Sequence, residues 1–346
     1  MKKALISAAA FAVVAVSSIA IAPTTSEAIP AFARQTGAAC LSCHFQTFPA
    51  LTAFGRAFKM GAFTDVGDQA LVEDDNLSLP SVLNASFVLR AQRQTKKVTT
   101  GGTKTTTTTW KVPADAVLLM AGRVGTNTGA FVEFNGGAAN WQLMNSIDFG
   151  SFKGGLNIQN TGFGPTAAIE ISNVFGQHGG KLNGKALSAI NTIIGGVDIQ
   201  GGKGAGNLGN TTSVAGWIGN EMGLIQLGGV AFADAAQVSN NSFIPMVRAV
   251  LTTELGGADA LVCVGVLSGE QRAAGVSGYG VNALFMDLQL QGELGDISYG
   301  LYGDFVTTKA KGVNGNGGAI GAANPVTNNI FSGTLANAKR DGYSLR

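Results

Sequence analysis

The chain has 346 residues, 45% of them apolar and 13% charged, with a formal net charge of +2. So small a charge, with few basic clusters, gives no case for nucleic-acid binding. Two histidines and three cysteines leave little room for metal chemistry outside one motif, and there is no Ser-His-Asp set, carboxylate pair or phosphate loop.

The first element is Met1-Lys2-Lys3, followed by an apolar run from Ala4 to Ala22 and small residues at Ser26 and Ala28. This pattern predicts a signal peptide over residues 1–28, removed before Ile29, with a transmembrane anchor as the rival. Export places the mature chain outside the cytoplasm. Next comes Cys40-Leu41-Ser42-Cys43-His44. Two cysteines spaced C-x-x-C and followed by His form the attachment signal of one covalent haem c, with Cys40 and Cys43 as thioether donors and His44 as an iron ligand. A disulfide and half of a zinc site are the bland alternatives. Zinc wants further ligands, and the only other Cys and His are Cys263 and His178. A redox C-x-x-C sits in a βαβ context that is missing here.

Leu51, Phe54, Ala57 and Phe58 stand at helical spacing and predict a helix from Pro49 to Met60, with Pro49 suited to its start. Asp65, Asp68, Glu73, Asp74 and Asp75 mark an acidic, solvated linker. Residues 29–77 therefore form a small helical haem segment with a linker. It is too small for a self-sufficient core, so it needs the haem and docking against the remainder.

Residues 78–346 alternate with a period of two. Leu83, Ala85, Phe87, Leu89 and Ala91 oppose Asn84, Ser86, Arg90 and Gln92; Leu284, Met286, Leu288 and Leu290 interleave with Asp287, Gln289, Gln291 and Glu293. Such strands have one apolar and one polar face. In a soluble sandwich the apolar face points inward; in an outer-membrane barrel it meets lipid. Connection lengths favour the barrel. Turns at one end are short (Gly125 to Gly129, Gly150 to Lys153, Gly219 to Glu221, Gly256 to Asp259, Gly292 to Asp296). Those at the other are long (Gln94 to Pro113, Gly201 to Asn210, Ala233 to Phe243, Gly269 to Gly278, Thr308 to Asn337). The expected fold is mainly β: an antiparallel barrel of about 14–16 strands carrying a small N-terminal helical segment. Four Tyr and three Trp are few for aromatic girdles. Asp341 to Arg346 begins a strand and stops, which reads as a C-terminally incomplete barrel.

Ala28-Ile29-Pro30-Ala31-Phe32-Ala33-Arg34-Gln35-Thr36-Gly37, running into Cys40, Cys43 and His44, resembles the signature of the fused outer-membrane monohaem cytochrome–porin family. Phe48-Pro49-Ala50-Leu51 and Phe54 to Lys59 continue the likeness, which covers about the first thirty mature residues. The resemblance implies a cytochrome fused to an outer-membrane barrel. It further implies electron transfer from an extracellular donor, Fe(II) foremost, to a periplasmic acceptor such as a soluble cytochrome c. Arg34 and Gln35 are candidates to hydrogen-bond haem propionates, or else to fix the local turn.

A low-spin carrier needs a sixth ligand, Met or His. His178 is the first candidate because strand counting places it at the periplasmic end; Met60 is the runner-up. Met120, Met144 and Met222 are unranked, and Met286 falls on the lipid face. Cys263 shares a face with Leu261 and Leu267 and reads as an inert packing residue. Two other functions stay open: a porin whose haem segment plugs the lumen, and a haem sensor or enzyme with an open iron position.

Overall fold

The computed structural model describes residues 30–46, 50–75, 77–135, 138–161, 211–231, 243–271, 279–311 and 339–345. Three short helices come first: α1 (Pro30–Thr36), α2 (Cys40–Cys43) and α3 (Ala53–Met60). Helix α3 starts later than its apolar spacing predicts, because the Thr52 hydroxyl caps it by accepting from the Gly55 N–H at 3.1 Å. Leu51, expected inside the helix, instead forms an isolated antiparallel bridge with His44. The expected acidic linker contributes β1 (Leu71–Glu73), which pairs with β2 (Ser78–Pro80) just beyond it, inside the stretch expected to be barrel.

The rest of the described chain is one antiparallel sheet of thirteen strands. In chain order these are β3 (Ala85–Thr100), β4 (Thr103–Gly125), β5 (Thr128–Asn135), β6 (Ala138–Asn145), β7 (Ile147–Asp148), β8 (Lys153–Thr161), β9 (Thr211–Asn220), β10 (Gly223–Ala231), β11 (Ile244–Leu255), β12 (Ala258–Gln271), β13 (Tyr279–Leu294), β14 (Ile297–Lys311) and β15 (Lys339–Leu345). Strands adjacent in the chain are adjacent in the sheet, save that β6 pairs β8 directly and the two-residue β7 pairs only β8. Among the described residues the sheet is open, with β3 and β15 at its two edges. Strand β15 meets β14 only from Gly303 to Lys309. Turns at one end are tight, including 221–222, 256–257 and 295–296. Most long connections expected at the other end lie outside the described residues.

One expected long loop is not a loop. Residues 94–113 continue β3 and β4 into a hairpin closed by Gly101 and Gly102, whose φ values of +58° and +84° suit a tight turn that glycine adopts without strain. Nine threonines between Thr95 and Thr109 supply the β-branched residues that favour strand.

Strands β10, β12 and β13 carry exposed apolar side chains along their centres, and on β10 and β13 burial is inverted relative to a water-soluble protein. On β13 Phe285, Asp287, Gln289 and Gln291 are buried, while Leu284, Met286 and Leu288 are exposed. On β12 both faces are apolar: Leu261, Cys263 and Leu267 are buried, and Val262, Val264 and Val266 are exposed. On β10 Gln226 is buried between exposed Ile225 and Leu227. The alternation read from sequence is therefore present, with its apolar side outward. Arg248 on β11, 1% exposed, holds Asp287 through both carboxylate oxygens at 2.9 and 2.7 Å. Buried charges persist only when paired in this way.

Candidate functional site

Cys40 and Cys43 occupy the single turn of α2, which ends as His44 passes to extended backbone and its N–H returns to the Cys40 carbonyl at 3.0 Å. Both thiols are free and half-buried. The C-x-x-C spacing sets them one turn apart on a common side. Burial pushes the Cys43 thiol up, and the nearby charges of Cys40 and Asp65 add to this. The Nδ1 atom of His44 is buried. Helix α3 crosses so close behind this turn that a Cβ on Gly55 would overlap the Cys43 carbonyl oxygen. Leu41 in this turn and Phe54, which precedes Gly55 in α3, stay 64% and 47% exposed.

This donor set suits a covalently attached haem. Two unpaired thiols on one turn, an adjacent imidazole and exposed apolar side chains are what a flat apolar macrocycle requires. Among the described residues no three His, Cys, Asp or Glu come together as a metal site, so the zinc alternative finds no additional ligands.

The segment carrying the motif is seated on the buried face of the sheet, at the end with the tight turns. Phe32 stacks on Phe63 at a centroid distance of 4.8 Å and meets Phe58 edge-on at 5.3 Å, joining α1 to α3. Phe58, Ala62 and Phe63 then pack with Met144, Trp217, Leu224, Val250 and Leu261, while Ala31 packs with Val117, Leu119 and Phe131. Ala50 touches Tyr302 on β14. Thus one short segment reaches β4 and β5 near one edge and β12, β13 and β14 near the other, which a sheet of thirteen strands permits only by curving around it.

Polar anchors fix its register. Arg56, buried, forms an ion pair with Asp259 at 2.7 Å and donates to the Leu51 carbonyl at 3.3 Å. The Gln289 side chain donates to the same carbonyl at 3.2 Å, and that of Gln46 donates to the Ser298 carbonyl at 2.6 Å. At the other side Arg123 donates to the Thr64 carbonyl at 3.3 Å. A Cβ on Gly129 of β5 would overlap the Ala62 carbonyl, so the segment lies directly on sheet backbone there.

The residues singled out from sequence fare differently. Arg34 is exposed at the end of α1. Gln35 is 1% exposed, and both ends of its amide are engaged by protein. Its Nε2 donates to the carbonyls of Phe63 (2.7 Å) and Asp65 (2.6 Å), and its Oε1 accepts from Asn84 Nδ2 (3.1 Å) and the Arg123 N–H (2.9 Å). Met60 ends α3 and packs against the apolar cluster of Phe58, Phe63 and Trp217. Cys263 is fully buried in that cluster beside Leu261. Met286 is exposed on the outward face and Met144 buried on the inward one. His178 lies outside the described residues. Sequence reasoning missed Arg56, Asp259 and Arg123. Arg56 stood in the chain as a cation among the apolar residues of a helix whose other cation, Lys59, closes its last turn, which was the available signal.

No protein-family model, curated protein or solved structure matches the chain.

Proposed function

We propose that this chain is an outer-membrane cytochrome, a single covalent haem c held at the periplasmic mouth of a β-barrel. In this role it passes electrons one at a time from an extracellular donor, Fe(II) foremost, to a periplasmic carrier. The observation that carries this is the seating of the Cys40-Cys43-His44 segment on the buried face of the sheet, which mixes apolar residues with Arg248, Asp287, Gln226 and Gln289, while the other face is apolar and exposed. A sheet of that polarity is stable where lipid meets the outside and water or a plug meets the inside. Buried inward groups with no partner among the described residues support a hydrated interior: Asn157 Nδ2, Gln159 Nε2, Ser213 Oγ and both amide atoms of Gln226. The cytochrome–porin likeness of residues 28–44 supports the same assignment.

Cys40 and Cys43 would hold the haem by thioether bonds and His44 by its imidazole. Bound there, it would supply a one-electron ferric/ferrous couple. The remaining residues position it. Gly55 lets α3 brace the back of α2. Leu41 and Phe54 offer apolar surface that excludes water. Arg56 and Gln35 lock the segment to the sheet, which keeps the distance to any donor or acceptor constant.

The test is to add Fe(II) anaerobically to the oxidised protein extracted from outer membranes and follow the haem bands. Rapid reduction at neutral pH is the expected result; unchanged bands would remove Fe(II) as donor.

A further inference from the structure

Among the described residues the β3–β4 hairpin extends beyond the pairing of β4 with β5 as a two-stranded ribbon. Every residue from Ala91 to Pro113 is exposed, and at ~3.3 Å per residue its nine further pairs project about 30 Å. From Arg90 to Lys111 the sequence has six cations and no acidic residue. Register divides them by face. Residues two apart on a strand share a face, as do cross-strand partners. Across the register irregularity between Arg90 and Gln92, β3 advances by two residues and β4 by four, both even steps. Phe87 and Leu89, exposed on the outward side of β3, are therefore followed on the same face by Arg93, Lys97 and Thr99. Opposite these stand Trp110, Thr106 and Lys104. Trp110 is 66% exposed, with the Arg93 guanidinium 5.8 Å above its ring. Lys96 and Lys111 occupy the other face.

Ascending the outward face, the order is apolar side chains, an exposed tryptophan capped by arginine, then lysines. This is the sequence of environments from acyl chain through interface to headgroup, with Trp at the boundary and cations beyond it. We infer that the outward face of this ribbon is a docking surface for phosphate groups on the headgroups of outer-leaflet lipids, with Arg93, Lys97 and Lys104 as the contacting residues. The inference rests on the membrane reading above. The ribbon lies at the end opposite the haem segment, so it tethers the outer rim without touching the electron-transfer site.

The test uses the full haem-loaded chain in two arms. Flotation with zwitterionic vesicles reads membrane insertion. In detergent, titration with phosphorylated and dephosphorylated lipid A, followed by Trp fluorescence, reads docking. The phosphorylated lipid should bind at least about tenfold more tightly at low salt, and the difference should fade as salt screens the charges. Arg93→Gln/Lys97→Gln/Lys104→Gln should abolish the difference while leaving the haem bands unchanged; Lys96→Gln/Lys111→Gln should keep it. Equal affinity for the two lipids, or equal loss in both variants, would overturn the inference while flotation still supports the barrel. A chain that does not float would overturn both.

Discussion

At the scale of single residues, Arg56 and Asp259 couple the N-terminal helical segment to the sheet. Their separation of 203 positions means that this pair closes a very long loop. Arg56→Ala would leave Asp259 facing the interior without its cation. Because the Asp259 side chain keeps 27% exposure, the cost should fall below the ~3–5 kcal/mol of a fully buried pair, at about 2 kcal/mol. The expected outcome is local: protease cleavage between α2 and β1 should accelerate while far-ultraviolet circular dichroism of the sheet holds. Cys43 offers a second measurement. Its raised pKa lowers the thiolate fraction at neutral pH, and thiolate is the form that alkylates. In the chain before haem attachment, iodoacetamide labelling of Cys43 should therefore be slow and should rise only above the ordinary cysteine range. Asp65→Asn removes one of the raising charges and should move that rise part-way back down.

At the scale of elements, the contact between α2 and α3 depends on a missing side chain. Gly55→Ala would drive a methyl group into the Cys43 carbonyl, so α3 must shift or the C-x-x-C turn must open. Haem incorporation, measured by the pyridine haemochrome yield per chain, should fall severalfold, with sheet content unchanged. How much of this was legible beforehand follows from the range of each signal. The Cys40-Cys43-His44 motif and the alternation of Leu284 to Gln291 are local, and both were read directly. The β3–β4 ribbon reads as a loop in sequence because its strands are Thr- and Lys-rich and lack apolar alternation. Its marker was the Gly101-Gly102 pair between two β-branched runs. Helix α3 was begun too early because Leu51 fits helical spacing, yet Thr52 is the better cap. The role of Gln35 was invisible for a different reason: its four partners come from residues 63, 65, 84 and 123, and no spacing rule reports such distant company.

At the scale of the whole molecule, the inverted burial makes the environment of the outward face a measurable property. Val264 lies mid-way along β12 and is 41% exposed. In water, Val264→Arg would be an ordinary surface change, within about 0.5 kcal/mol. At the middle of a bilayer it would cost ~2–4 kcal/mol. Leu255, 59% exposed beside the tight turn and on the outward parity of β11, provides the rim control, where Arg should cost about 0–1 kcal/mol. Unfolding midpoints in denaturant, measured in vesicles for both variants, should show the large penalty at Val264 and almost none at Leu255. In detergent the gap should narrow, because a micelle lets a long cation reach water. Equal midpoints in vesicles would mean that the apolar face is covered by protein, and the haem segment would then belong to a soluble assembly. A depth-dependent penalty would instead place the inward Gln226, Gln289 and Asp287 in an aqueous lumen. The plug anchored by Arg56 would close that lumen at its tight-turn end, so a donor from outside would meet the haem segment from within the barrel.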